Sequence, residues 1–213
     1  MVLVAECNRF AWRNSRKVFD VLTSAGGGVI VVVLVVAGGL LTWGHSFVNS
    51  NVHTQLAQQQ ISFPPKAAFA HAKAGTEITP SMSPSVSQYA GQQLLTGEQA
   101  KVYANDFIAV HLSEMPYGGV YSKISAASMA KPADTQLAGL KQTSFMGTTL
   151  RGLLLEAYAF SAIGAVMLWG ALASFALAAV MALLVGLGLW HARRTSEETR
   201  RLPATKATPI AVS

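Results

Sequence analysis

Residues 157–190 read AYAFSAIGAVMLWGALASFALAAVMALLVGLGLW, and no Asp, Glu, Lys or Arg occurs between Glu156 and Arg193. Crossing the hydrocarbon core of a bilayer takes about 20 apolar residues at a rise of about 1.5 Å each. As one helix this run would measure about 51 Å, well beyond a core about 30 Å thick. A hairpin of two spans would need a polar turn, and none interrupts the run, so one helix is expected to cross and to project beyond the membrane. A second charge-free stretch lies between Asp20 and Lys66, and its centre is Val29-Ile30-Val31-Val32-Val33-Leu34-Val35-Val36. In water such a β-branched run suggests a strand, but an open strand leaves its backbone unsatisfied in lipid, so a helix is expected here too. A core helix of a soluble protein shows a polar face, and neither segment has one. The expected fold is an all-α membrane protein with two transmembrane helices and a small extracytoplasmic α-helical domain between them.

The composition agrees with that reading. Of 213 residues 51% are hydrophobic and 12% charged, and the mean hydropathy is +0.37, whereas a soluble domain carries about 25% charged residues. The net charge of +6 is spread over the ends and the middle of the chain rather than gathered in one patch, so no nucleic-acid partner is expected. Cys7 stands alone, which excludes an internal disulfide framework and a multi-cysteine zinc or iron–sulfur site. The first apolar run follows Arg13, Arg16 and Lys17, as in a signal peptide. It is longer than the usual apolar region of one, however, and the following Thr42-Trp43-Gly44-His45-Ser46-Phe47-Val48 offers no small-residue cleavage site. An uncleaved anchor is expected.

Orientation follows from the basic residues beside the spans. Arg9, Arg13, Arg16 and Lys17 precede the first; Arg193, Arg194, Arg200, Arg201 and Lys206 follow the second; on the intervening side only Arg151 lies close to a span. Both termini are therefore expected in the cytoplasm of a plasma-membrane protein. The boundaries read as a cytoplasmic amphipathic segment over 1–24, a first transmembrane helix over 25–48 and an extracytoplasmic helical domain over 49–150. A long helix containing the second span covers 151–191, and a cytoplasmic tail covers 192–213. Trp43 and Trp190 mark helix ends, where indoles favour the headgroup zone. In the N-terminal segment Ala11, Trp12, Ser15, Val18, Phe19 and Leu22 share a face opposite the basic residues, the pattern of a helix lying on an anionic leaflet or docking on a partner.

Within the middle segment, residues 62–88 are rich in Ala, Ser and Pro and read as an irregular linker. Thr96-Gly97-Glu98-Gln99 is a capping box that opens a helix with Ala100, Tyr103, Phe107 and Val110 on one face, ending near Met115-Pro116. A turn at Tyr117-Gly118-Gly119 leads to a short helix, and Lys131-Pro132-Ala133-Asp134 supplies a stop and a new cap.

No phosphate-binding glycine loop, nucleotide fingerprint, Gly-x-Ser-x-Gly elbow or His-Glu-x-x-His occurs. No catalytic residue, metal site or cofactor is therefore expected. His45, His53, His71, His111 and His191 match no ligand spacing, and His45 and His191 would stand a membrane apart. Glu156, set among Leu153, Leu154, Leu155 and Tyr158, is either a costly acid at a membrane boundary or a domain residue paired with a Lys or bonded to His45 or a Tyr. Arg151, His45 and His111 complete the set of candidate polar residues. Gly170, Ser174, Ala178, Ala182 and Gly186 place a small residue at every fourth position, a stripe that lets another helix approach closely. Its first candidate partner is the chain's own first helix, through Gly38 or Ala37; a second protein is the alternative.

The stretches Thr96-Gly97-Glu98-Gln99-Ala100-Lys101-Val102-Tyr103-Ala104-Asn105-Asp106-Phe107-Ile108 and Thr143-Ser144-Phe145-Met146-Gly147-Thr148-Thr149-Leu150-Arg151-Gly152-Leu153-Leu154-Leu155, continued by Ala157-Tyr158-Ala159-Phe160, carry a resemblance that extends over about half the chain. They resemble a family of actinobacterial two-span membrane proteins with an extracytoplasmic middle. Members sometimes carry a label of aromatic ring-opening dioxygenase, which implies iron held by two histidines and a carboxylate. No such constellation stands in this sequence, and the family supplies no catalytic residues to transfer.

The expected function is that of a non-enzymatic integral plasma-membrane protein, a structural or accessory subunit of an envelope or membrane complex. Its partners would be the lipid bilayer and another membrane protein or a second copy of the chain. The alternatives are an extracytoplasmic metal- or ligand-binding sensor using His53, His71, His111 and Glu156, and a membrane-bound enzyme dependent on Glu156.

Overall fold

A computed structural model describes residues 2–201, and the described residues form helices and turns without a strand. Two long helices, α1 (Val2–Gln59) and α7 (Thr135–Arg201), flank five short ones: α2 (Lys66–Phe69), α3 (Ser83–Val86), α4 (Gly97–Val102), α5 (Ala109–Glu114) and α6 (Tyr121–Ala130). The chain divides into two compact units. One is Thr42–Leu168; the other comprises the remaining parts of the long helices, up to Leu41 and from Trp169.

Both long helices are long and apolar enough to cross a membrane, over Leu22–Gln59 and Thr135–His191, and the most apolar window of each is only 6% buried. Core helices of a soluble protein bury such windows; here Val29, Val32, Val33, Val166, Trp169 and Leu183 each leave more than half their surface bare.

In the unit built from the long helices alone, burial follows a seam. α1 loses exposure at Ser24, Gly27, Val31, Leu34, Gly38 and Leu41, and α7 at Ala171, Ser174, Ala178, Met181 and Val185. Steps of three and four are the spacing that keeps a contact line facing a neighbouring helix. The seam is thin because its glycines admit close approach: a Cβ on Gly27 would lie 2.6 Å from a Val185 methyl carbon, and one on Gly38 2.8 Å from the Phe175 ring. Association of this kind rests on dispersion between small, closely set residues.

The unit Thr42–Leu168 has a conventional core, in which Val52 and Leu56 of α1 and Leu154 of α7 pack with Leu94, Ala100, Ala104, Phe107 and Ile108. α1 ends where Gln60 takes a left-handed conformation (φ 53°), a common helix stop. Residues 62–88, expected to be a linker, instead supply a wall of that core through Phe63, Ile78, Met82 and Val86, all nearly or fully buried. The prolines shape the path: the Pro64 carbonyl accepts from the Gly91 amide, and Ser62 bridges to Gln93. The segment carries no helical or strand period because its apolar residues are spaced to suit turns. That absence of period hid its place in the core.

The Thr96 capping box is formed, with the Thr96 hydroxyl accepting from the Gln99 amide and the Gln99 side chain accepting from the Thr96 amide. Between α4 and α5 the helix widens into a π-helical segment, Tyr103–Ile108. Its i→i+5 bonding suits a core line spaced by fours, Ala100, Ala104 and Ile108, all buried. After α5 the turn Tyr117-Gly118-Gly119 has three consecutive positive φ values. Asp134 then caps α7, its Oδ1 accepting from the amides of Gln136 and Leu137. With no breaker between, α7 runs unbroken from Thr135 to Arg201. The amphipathic reading of the N-terminal segment rests on side chains that, apart from Leu22, lie outside the described residues, as do those of the tail beyond Arg194.

Candidate functional site

Two concave features within Thr42–Leu168 hold candidate residues. The first is a groove of about 460 Å³ between α1 and α7, walled by Phe47, Val52, Leu153 and Phe160, with Gln55 and Glu156 supplying polar groups. Glu156 is exposed there and has no cation within 4.0 Å among the described residues. None of the partners expected for it, a Lys, His45 or a Tyr, bonds to it among the described residues; His45 Nδ1 instead lies 2.8 Å from the Gly164 carbonyl oxygen, which fixes its ring against α7. Nor does Arg151 meet Glu156. A separation of five residues on a helix is about 500° of rotation, which sends the two side chains to different faces.

Arg151 belongs to the second feature, a cavity of about 440 Å³, wide open to solvent, at the junction of α5, α6 and α7. Its Nη2 donates to Asn105 Oδ1 at 3.0 Å, so the π-helical segment holds the guanidinium in place. Its Nε is buried and has no acceptor, and no carboxylate lies within 4.0 Å of the group among the described residues. Tyr121, Ser122 and Thr148, all exposed, lie along the same feature, and their hydroxyls bond to no protein acceptor among the described residues; the Tyr121 ring packs on that of Phe145, 5.7 Å between centroids. Sequence reading singled out Arg151 and missed Asn105 and the hydroxyls. With Arg151 they come from three separate stretches of the chain, and only folding gathers them.

His111 faces neither a metal-ligand set nor Glu156. Its Nδ1 lies 2.9 Å from the Phe107 carbonyl oxygen, and its ring closes an aromatic series in which Phe63, Tyr103, Phe107 and His111 meet at centroid separations of 4.6–5.3 Å. Burial raises the Tyr103 phenol above its ordinary pKa, with the Glu77 charge adding to the effect. Lys101 donates to the Tyr158 hydroxyl at 3.3 Å, and this bond, aided by Glu98, raises the ammonium's pKa. Among the described residues no three His, Cys, Asp or Glu side chains converge as metal ligands would; His53 and His71 are exposed.

The small-residue stripe divides. Gly170, Ser174 and Ala178 lie along the α1 seam, while Ala182 and Gly186 are exposed. A step of four advances about 400° against a full turn of 360°, so five members drift about 160° around the helix. Met181 and Val185, which follow the alternating three–four spacing, take over the contact. Ala178→Leu is therefore expected to destabilise the helix pair by about 1–3 kcal/mol through overpacking, and Ala182→Leu to leave it unchanged. Thermal unfolding of the two variants in the same detergent checks the contrast.

Compared with known protein families, characterised proteins and solved structures, the chain matches none of them.

Proposed function

We propose that this chain is a non-enzymatic integral plasma-membrane protein, a two-span accessory or structural subunit that holds its helical domain, residues 49–150, outside the cytoplasm with both termini inside. The observation that carries the reading is the bare apolar surface around α1 and α7, exposed on two helices that already pack against each other. In water such a surface is a liability; in lipid it is the required one. Orientation is supported by the basic residues that precede the first apolar run and follow the second. At the end of the second run Arg194 lies over the exposed Trp190 ring, 4.1 Å from its centroid, a pairing suited to the headgroup zone. The partner would be another membrane protein or a second copy of the chain.

Cysteine accessibility tests the topology. In a Cys7→Ser background, Gln88→Cys is expected to react with a membrane-impermeant maleimide in intact cells, and Ser213→Cys only after lysis. Labelling of position 88 only after lysis overturns the orientation, and a chain that stays soluble without detergent overturns the membrane reading. Extraction into native nanodiscs tests the subunit role: a strictly monomeric chain with no co-purifying protein refutes it.

A further inference from the structure

We propose that the cavity at Arg151 is a binding site for a phosphate-type oxyanion. The inference does not depend on the membrane topology proposed above. Its basis is a cation held without a counter-charge. The Arg151 guanidinium gives one bond to a neutral amide oxygen and has no carboxylate near it among the described residues; its Nε is covered by protein, so the terminal nitrogens are the groups an anion could meet. A half-buried guanidinium normally recovers its lost hydration from an anion, and its planar fork of donors suits carboxylate and phosphate oxygens.

The rest of the cavity offers donors. Thr148 stands on the same helix as Arg151, one turn before it. The start of α6 lines the same feature; no side chain caps it, and the Tyr121 and Ser122 hydroxyls have no partner among the described residues. The first amide groups of a helix carry its positive end and favour anions. Donors on both sides of a cavity suit a phosphate, whose oxygens point in several directions, better than a planar carboxylate. The volume of about 440 Å³ exceeds what a bare ion fills, and its open side leaves room for the rest of a phosphate ester. Two sources share that chemistry: the headgroup of an anionic phospholipid and a soluble phosphate ester.

The test uses the full chain in a neutral detergent and in nanodiscs. Inorganic phosphate, compared with chloride at equal ionic strength, is expected to raise the unfolding temperature saturably. Arg151→Gln is expected to weaken the apparent affinity roughly ten- to a hundredfold. Thr148→Trp, which fills the cavity from an exposed helix position without touching the Arg151–Asn105 bond, is expected to do the same, and it keeps the test valid if Arg151→Gln folds poorly. In nanodiscs of mixed phosphatidylglycerol and phosphatidylcholine, native mass spectrometry reads the source. Selective retention of phosphatidylglycerol that both variants lose identifies a headgroup site, and a phosphate response without such retention identifies a soluble ester. The proposal is overturned if the parent chain shows neither a saturable response nor lipid selectivity. It is equally overturned if a response persists undiminished in Thr148→Trp, which would mark an adventitious ion only.

Discussion

Gly119→Ala is expected to destabilise the unit Thr42–Leu168 by about 3 kcal/mol or more, with its neighbour Gly118→Ala costing only about 1 kcal/mol. Both glycines have left-handed backbones, with φ of +65° and +66°, and an alanine pays for that conformation at either place. The difference lies in what a new Cβ meets. At Gly118 nothing stands within 4 Å, whereas at Gly119 the methyl carbon would overlap the carbonyl oxygen, carbonyl carbon and Cα of Leu112. Those atoms are helix backbone and cannot rotate away as a side chain can. The Gly119 carbonyl also accepts a 2.6 Å bond from the fully buried Ser144 hydroxyl, so a displaced turn would leave a buried hydroxyl unsatisfied as well. Thermal unfolding of both variants in detergent, with trypsin resistance as a second reading, measures the contrast; equal losses would refute the backbone-overlap argument.

A comparable loss is expected for Leu154→Ala, about 3 kcal/mol, within the range for deleting buried leucine methyls. Leu154 is 0% exposed and packs in the core that α1, α4 and residues 62–88 close around. Leu153, one position earlier on the same helix, is 52% exposed in the groove beside Glu156, and its replacement by alanine should cost less than about 1 kcal/mol. Rotation by about 100° between adjacent residues separates a core residue from a groove residue. Unfolding of the two variants under one set of conditions reads the difference directly, and a Leu153 loss as large as that of Leu154 would show that the groove is filled or the register shifted.

Much of the architecture was legible in the chain. The two charge-free runs mark the long apolar helices because charge is costly in hydrocarbon and its absence over 20 residues is visible in any window. Local devices were legible too: the Thr96–Gln99 box and the Asp134 cap act within four residues of themselves. The contact line between the long helices was only half legible. A search at a fixed interval of four found Gly170, Ser174 and Ala178 but then left the seam, since two packed helices keep contact by alternating steps of three and four.

The candidate site was harder to read because its members act across long separations. Arg151 meets Asn105 from 46 positions away, and no spacing rule links them. Glu156 attracted attention through its apolar neighbours, yet those leucines divide between core and groove, and the carboxylate itself stands exposed. Residues 62–88 looked like a tether because proline and serine dominate them. Phe63, Ile78, Met82 and Val86 nonetheless pack inward, as turns can deliver side chains to a core without any period.

By itself, then, the order of residues determined the helical character, the two apolar rods and the capped helix starts. These follow from hydropathy and from bonds within a turn or two, which the chain carries wherever it goes. Tertiary structure alone decided which face of each rod is covered, that a proline-rich stretch becomes a core wall, and that Arg151 meets an amide rather than a carboxylate among the described residues. Each of those depends on which distant groups arrive beside it, and burial and charge compensation are properties of neighbours in space.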